Sequence, residues 1–253
     1  MKNSVLLFVS ASTCQSITQM LNKYIFFADK VEIHNITQNT CQFMLSGLNC
    51  NQVMNDLQLG DLVGQPFGTN RHYTVNGFSV SVGVGSYISE NGYTLVMSPA
   101  AASLIWKALL SKGAVPMGQN SFERLRIIEG RPSPGKELTD EYNVLEASLW
   151  NSISLNKGCY KGQETISRLI TYDGVKQHIV GIRLSSPVRP GSTISVQGKK
   201  VGKLTSYARG RNPSEHMGLC YVKRPFAIAG QTVVLDDDVS GTLFVPAFLS
   251  RQA

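Results

Sequence analysis

Charge is scarce in this sequence: 16% of its 253 residues are Asp, Glu, Lys or Arg, against 42% hydrophobic. That balance excludes a disordered or fibrous chain, which cannot bury enough apolar surface to fold. Long apolar runs are lacking too. Near the start the longest is Val5–Val9, far short of the ~20 residues that cross a bilayer, so no membrane partner is expected. The five cysteines (Cys14, Cys41, Cys50, Cys159, Cys220) include no C-x-x-C pair. Their scatter excludes the common zinc and disulfide frameworks, and no stably bound metal is expected. Free thiols point to a reducing compartment. Neither a secretory signal nor an Arg- and Ser-rich transit segment opens the chain. Acids are in deficit, 17 against 24 Lys and Arg, which leaves a net charge of +7.

What is present reads as two textures. Val5–Val9 has the pattern of a strand buried on both faces. Ile17, Met20, Leu21, Tyr24 and Ile25 follow at helical spacing behind the candidate caps Ser12 and Thr13. Val31–Thr37 and Cys41–Ser46 read as strands, and Asn51–Leu57 as a short helix. Asn76-Gly77 predicts a hairpin between Arg71–Val75 and Phe78–Val84. Asn91-Gly92 divides strand-like Ser86–Ser89 from Tyr93–Met97. Pro99 opens a helix closed by Gly113, and a second helix starts near Ser121 and stops at Gly130. Beyond about Lys176 come six short segments: His178–Leu184, Thr193–Gln197, Lys200–Tyr207, Gly218–Val222, Thr232–Asp236 and Ser240–Val245. Evenly spaced short strands predict a small β-barrel or sandwich. The expected fold is α+β, with a domain over residues 1–176 and a β-barrel domain over 177–253.

The chemistry concentrates in Lys157-Gly158-Cys159-Tyr160-Lys161-Gly162-Gln163-Glu164. The two glycines permit tight turns. Lys157 and Lys161 flank Cys159, and adjacent positive charge favours the reactive thiolate of a cysteine. Gln163 and Glu164 add hydrogen-bonding capacity where a helix should begin. From the residues alone, Cys159 stands equally well as a structural or a working thiol. Glu90 beside a turn reads as a solvated acid. Arg126, with Glu123 and Glu129 three residues to either side, reads as a surface ion-pair ladder. Trp150 suits a core, or a flat surface for stacking. His34, His72, His178 and His216 share no metal-like spacing.

The octapeptide at 157–164 resembles the signature of the YgfZ family of folate-binding iron–sulfur assembly proteins. That family belongs to the superfamily of the glycine-cleavage T-protein, an aminomethyltransferase. Tyr87-Ile-Ser-Glu90-Asn-Gly92-Tyr93 is similar to the T-protein's Tyr-Thr-Gly-Glu-x-Gly-Phe/Tyr, whose Glu contacts the pterin of folate. Leu125-Arg126-Ile-Ile-Glu129-Gly130 resembles its Leu-Arg-x-Glu-x-Gly run, shifted by one residue. Arg168 and Lys176 fall where YgfZ-like proteins carry basic residues. Leu145 to Lys176 looks closest to the plastid branch of plants and cyanobacteria.

The resemblance implies a T-protein-like folate-binding domain followed by a barrel. Tetrahydrofolate would be the cofactor, held through Tyr87, Glu90, Arg126, Trp150, Gln163 and Glu164, with Cys159, Lys157 and Lys161 as the reactive group. It implies iron–sulfur assembly factors or client proteins as partners. Location in the plastid stroma follows, the mitochondrial matrix or a bacterial cytoplasm being the alternatives. Two departures push away from glycine cleavage. The family's leading segment, which carries the T-protein's catalytic Asp, has no expected counterpart here, and the T-protein lacks the Cys of the signature. A folate-dependent one-carbon transferase is the alternative, and a truncated gene product with an incomplete pocket is a further one. Lys199, Lys200, Lys203, Arg209, Arg211, Lys223 and Arg224 against Glu215 alone give a last reading, an RNA- or protein-binding module. With only Tyr207 and Tyr221 as aromatic faces and no RNA-binding motif, a nucleic-acid partner is not expected.

Overall fold

The computed structural model describes residues 4–212 and 214–250. They form two compact units, Met1–Pro116 and Met117–Ala253. The first unit holds α1 (Cys14–Lys23), β1 (Cys41–Leu45), α2 (Cys50–Asp56), β2 (Asn70–Val75), β3 (Phe78–Val84), β4 (Tyr93–Met97) and α3 (Pro99–Ser111). Its four strands form an antiparallel sheet in the order β1-β4-β3-β2. Alternation along β4 buries Tyr93, Leu95 and Met97, the period-two pattern of a sheet with one covered face. Val53 and Met54 of α2 and Ile105 and Leu109 of α3 pack in the same core as Val80, Val82 and Leu95.

Three sequence expectations fail in this unit. Val5–Val9 has no regular secondary structure and is exposed, with Val5 at 85% and Leu7 at 58%. An apolar run becomes a buried strand only where it pairs and is covered, and Val5–Val9 takes part in none of the sheet's pairings. Val31–Ile36 is likewise irregular, and Thr37–Asn39 forms a 3-10 turn. Ser86–Ser89 is a closed turn, described below.

The second unit holds α4 (Gln119–Glu129), α5 (Gln163–Thr171), the strands β5 (Gln177–Leu184), β6 (Thr193–Val196), β7 (Lys199–Arg209), β8 (His216–Lys223), β9 (Thr232–Leu235) and β10 (Val239–Phe244), and the short α6 (Ala247–Ser250). The strands close into a barrel in the order β10-β5-β8-β7-β6-β9. All six segments foreseen in the sequence are there. Inside lie Val180, Ile182, Ile194, Leu204, Cys220, Val222 and Leu243. Outside, Ile179, Leu219 and Tyr221 pack with Ile127 of α4 and Phe248 and Leu249 of α6. That outer packing ties residues 117–176 to the barrel, so the compact units divide at Pro116. The strand texture itself begins at Gln177, close to the change seen in the sequence.

Candidate functional site

In the first unit the resemblance to a folate contact falls on the loop between β3 and β4. Gly85 N–H donates to the Gly92 carbonyl at 2.8 Å, and Ser86 N–H to the Ser89 carbonyl at 2.7 Å. Ser86 Oγ donates to the same Ser89 carbonyl and accepts from Ser89 N–H, each at 3.0 Å. Ser89 Oγ accepts from Asn91 N–H at 3.1 Å. Ile88 is buried in this closed turn, while Tyr87 and Glu90 stay exposed. Gly92 sits at φ +116°, and a Cβ there would strike the Leu45 carbonyl. The loop therefore displays a carboxylate and an aromatic ring on a braced backbone. A carboxylate can accept two N–H groups from a heterocycle such as a pterin.

In the second unit the segment before α5 carries the cysteine signature. Cys159 is exposed, as are Lys157 and Lys161, whereas Cys220 is fully buried in the barrel. Burial pushes the Cys220 thiol well above its ordinary value, and a thiol held neutral is inert. Lys157 Nζ lies 5.2 Å from the Tyr160 ring centroid. Gln163 accepts the Tyr160 N–H through Oε1 at 3.0 Å, and Gly162, at φ +89°, turns the chain into α5. Glu164 is exposed in the first turn of that helix. Trp150, 37% exposed, opens a 3-10 turn; its ring is not enclosed in a core.

Arg126 is placed differently from a surface ladder. It is 1% exposed. Nε and Nη2 donate to the two Glu123 carboxylate oxygens at 2.9 and 2.6 Å. Nη1 donates to Glu137 Oε2 at 3.0 Å and to the Arg131 carbonyl at 2.5 Å, and Nη2 also donates to Ser206 Oγ at 2.9 Å. All five N–H donors of the guanidinium are thus engaged within the unit. A ligand would have to break one of these bonds to reach it, and the geometry makes Arg126 a structural brace.

Its partner Glu137, fully buried, also accepts from Thr205 Oγ1 at 2.8 Å and Ser206 Oγ at 2.5 Å, both on Oε1. A register shift between Leu204 and Ser206 interrupts the β7–β8 ladder there. Such a bulge re-aims side chains, and here two successive hydroxyls reach one carboxylate. Tyr221 Oη donates to the Glu137 carbonyl at 2.9 Å. Sequence reading missed Glu137. A lone acid two residues after Pro134-Gly135 carries no mark of burial in the sequence.

Among the described residues no group of three or more His, Cys, Asp or Glu is placed to hold a metal ion, and no helix is long and apolar enough to cross a membrane. Lys199, Lys200 and Lys203 lie exposed on β7. Arg224 is paired with Asp173 at 2.6 Å, and Lys223 Nζ donates to the Lys200 carbonyl at 3.2 Å.

The sequence model of the GCVT N-terminal domain matches residues 1–157. The chain belongs to that family. The GCVT match spans the Glu90 loop and Arg126 and stops two residues before Cys159. A protein of Arabidopsis thaliana named as a candidate chloroplastic transferase is 60% identical over 252 residues, 100% of this chain and 58% of that one. An aminomethyltransferase of Desulforamulus reducens is 28% identical over 207 residues, 79% of this chain and 57% of its own length. The chain thus spans somewhat over half the length of these relatives. The GCVT-like fold is also that of the glycine cleavage system aminomethyltransferase T from Bartonella henselae. That crystal structure matches with a TM-score of 0.79 at 18% identity, over 94% of this chain and 66% of the other.

Proposed function

We propose that this protein binds a reduced folate, tetrahydrofolate, and serves as an accessory factor in the assembly or repair of iron–sulfur proteins in plastids. The carrying observation is the exposure of Cys159 between two exposed lysines, in a signature that resembles the YgfZ family. Folate recognition rests on the braced loop that displays Tyr87 and Glu90, and on membership of a family whose relatives include aminomethyltransferases. Gln163 orders the start of α5 through the Tyr160 N–H, Glu164 is presented in the helix's first turn, and Trp150 offers a ring face for stacking. Arg126 acts by holding its unit together. A cluster usually takes four cysteine ligands, so one thiol would hold it only jointly with partner proteins. The plastid location is carried over from the Arabidopsis relative's name.

Thermal unfolding tests the folate half. A ligand bound only to the native state at about 100 times its dissociation constant stabilises by about 2.7 kcal/mol, so tetrahydrofolate should raise the Tm and Glu90→Ala should remove the rise. No rise in the parent protein would overturn it. Cys159→Ala should fold and bind folate normally yet fail to restore iron–sulfur enzyme activity in plastids lacking the protein.

A second reading, a folate-dependent one-carbon transferase, draws on the aminomethyltransferase relatives. One-carbon transfer to tetrahydrofolate that survives Cys159→Ala would favour it over the accessory role.

A further inference from the structure

At one end of the barrel, the antiparallel pairing of β5 with β8 sets Leu184 opposite His216 and Arg183 opposite Met217. The β7–β8 connection closes over these strand ends. Gly210 N–H donates to the Glu215 carbonyl at 2.6 Å, and Asn212 donates to the two Glu215 carboxylate oxygens at 3.3 and 2.8 Å. Arg124 of α4 reaches across to donate Nη2 to the carbonyls of Gly210 and Arg211. The connection is therefore pinned both internally and to a helix.

Between it and the strands lies an open cleft of about 460 Å³, within the ~300–1,000 Å³ typical of small-molecule sites. Its basic side is Arg183 and Arg211, both exposed. The Arg183 guanidinium lies 4.5 Å from the Phe244 ring centroid, which orients the planar fork while leaving its edge for an anion. Among the described residues neither arginine forms a salt bridge. Glu215 is the acid of the lining; Asn212 and the Arg211 backbone N–H donate to its carboxylate, which also faces the charge of Arg183. Ile128, Met217 and Phe244 supply an apolar wall. His216 completes it, its Nδ1 2.8 Å from Tyr207 Oη.

We propose that this cleft binds a small molecule bearing a carboxylate or phosphate on an apolar body. The anion meets the two guanidinium groups by charge-assisted hydrogen bonds, and the body packs on Met217, Ile128 and Phe244. The site involves neither Glu90 nor Cys159 and does not depend on the folate reading.

The test uses the whole chain with ¹³C-labelled methionine methyls, Met217 reporting on the cleft. Benzoate and phenyl phosphate are titrated beside benzylamine and inorganic phosphate. The expected result is a saturable Met217 shift with at least one aromatic anion, and which one separates carboxylate from phosphate. Arg183→Gln and Arg211→Gln, both at exposed side chains, should each weaken it about tenfold or more. An unchanged far-UV CD spectrum and an unchanged urea stability of the second unit would show that the variants keep their fold. No saturable shift with either aromatic anion, equal binding of benzylamine, or titrations untouched by both variants would overturn the site. Inorganic phosphate binding as tightly as phenyl phosphate would overturn the role of the apolar wall.

Discussion

Arg126 and Glu137 are charges with almost no access to water, and each depends on the other's presence. Removing one member of such a pair leaves an uncompensated buried charge, at a cost of roughly 3–5 kcal/mol. Arg126→Ala and Glu137→Ala should therefore each lower the urea stability of the second unit by about that amount. Arg126→Lys should not restore it, because an ammonium cannot reproduce a planar fork of five donors; full restoration would show that charge alone suffices. Arg126 also sets an acid limit through Glu123. The hydrogen bond from Arg126 holds the Glu123 carboxyl down to about 2 from its ordinary 4.5, with Lys136 assisting and partial burial opposing. A depressed carboxyl stabilises fully above its unfolded pKa and progressively less as pH falls. Stability should thus decline between pH 4.5 and about 2, and Glu123→Gln should flatten that decline. A slope unchanged in the variant would remove Glu123 as its cause. Cys159 makes the opposite kind of prediction. Iodoacetamide should label it well ahead of the buried Cys50 and Cys220, as peptide mass spectrometry would report.

Elements were legible where a local pattern was enough to define them. The unbroken apolar run Leu219-Cys220-Tyr221-Val222, between Gly218 and Lys223, suits a strand covered on both faces, and the structure sends Cys220 and Val222 inward and Leu219 and Tyr221 outward. Gly130 stops α4 in the left-handed conformation at φ +86°, as a glycine after a helical stretch suggests. Elements that depend on a distant neighbour were not legible. Val5–Val9 has strand composition but pairs with none of the four strands. Arg126 has the spacing of an exposed ladder, yet Glu137 and Ser206, 11 and 80 residues on, turn it into a buried brace. Glu90 is exposed, as its place beside a turn suggested, and Cys159, equally readable from the residues as structural or working, is exposed too. The β3–β4 loop offers a test at this scale. Gly92→Ala would place a Cβ against the Leu45 carbonyl at a backbone angle that L-residues avoid, a strain of about 1–2 kcal/mol. It should destabilise the first unit and, on the folate reading, weaken tetrahydrofolate binding as well. Binding preserved alongside the lost stability would separate the loop's backbone from ligand recognition.

At the scale of the whole molecule, the two units differ in how their sheets end. The barrel closes on itself and leaves no unpaired edge, whereas the first unit's sheet ends at β1 and β2. Exposed edges are routes to association, so partial unfolding should expose the first unit to it before the second. The buried brace has a further consequence. Residues 131–149 contain neither α-helix nor strand, apart from an isolated bridge between Pro134 and Leu138. Yet they are fastened: Ser133 O accepts three successive N–H groups, from Lys136, Glu137 and Leu138, and Glu137 anchors the loop to the barrel. Proteases need a length of chain that can be drawn out into the active-site groove. Lys136 offers trypsin an accessible side chain, 47% exposed, on a backbone that cannot be drawn out. Lys157 sits on an exposed stretch of chain, residues 154–159, that has neither helix nor strand. Brief trypsin digestion should therefore nick after Lys157 and spare the bond after Lys136, and in Glu137→Ala that order should be lost.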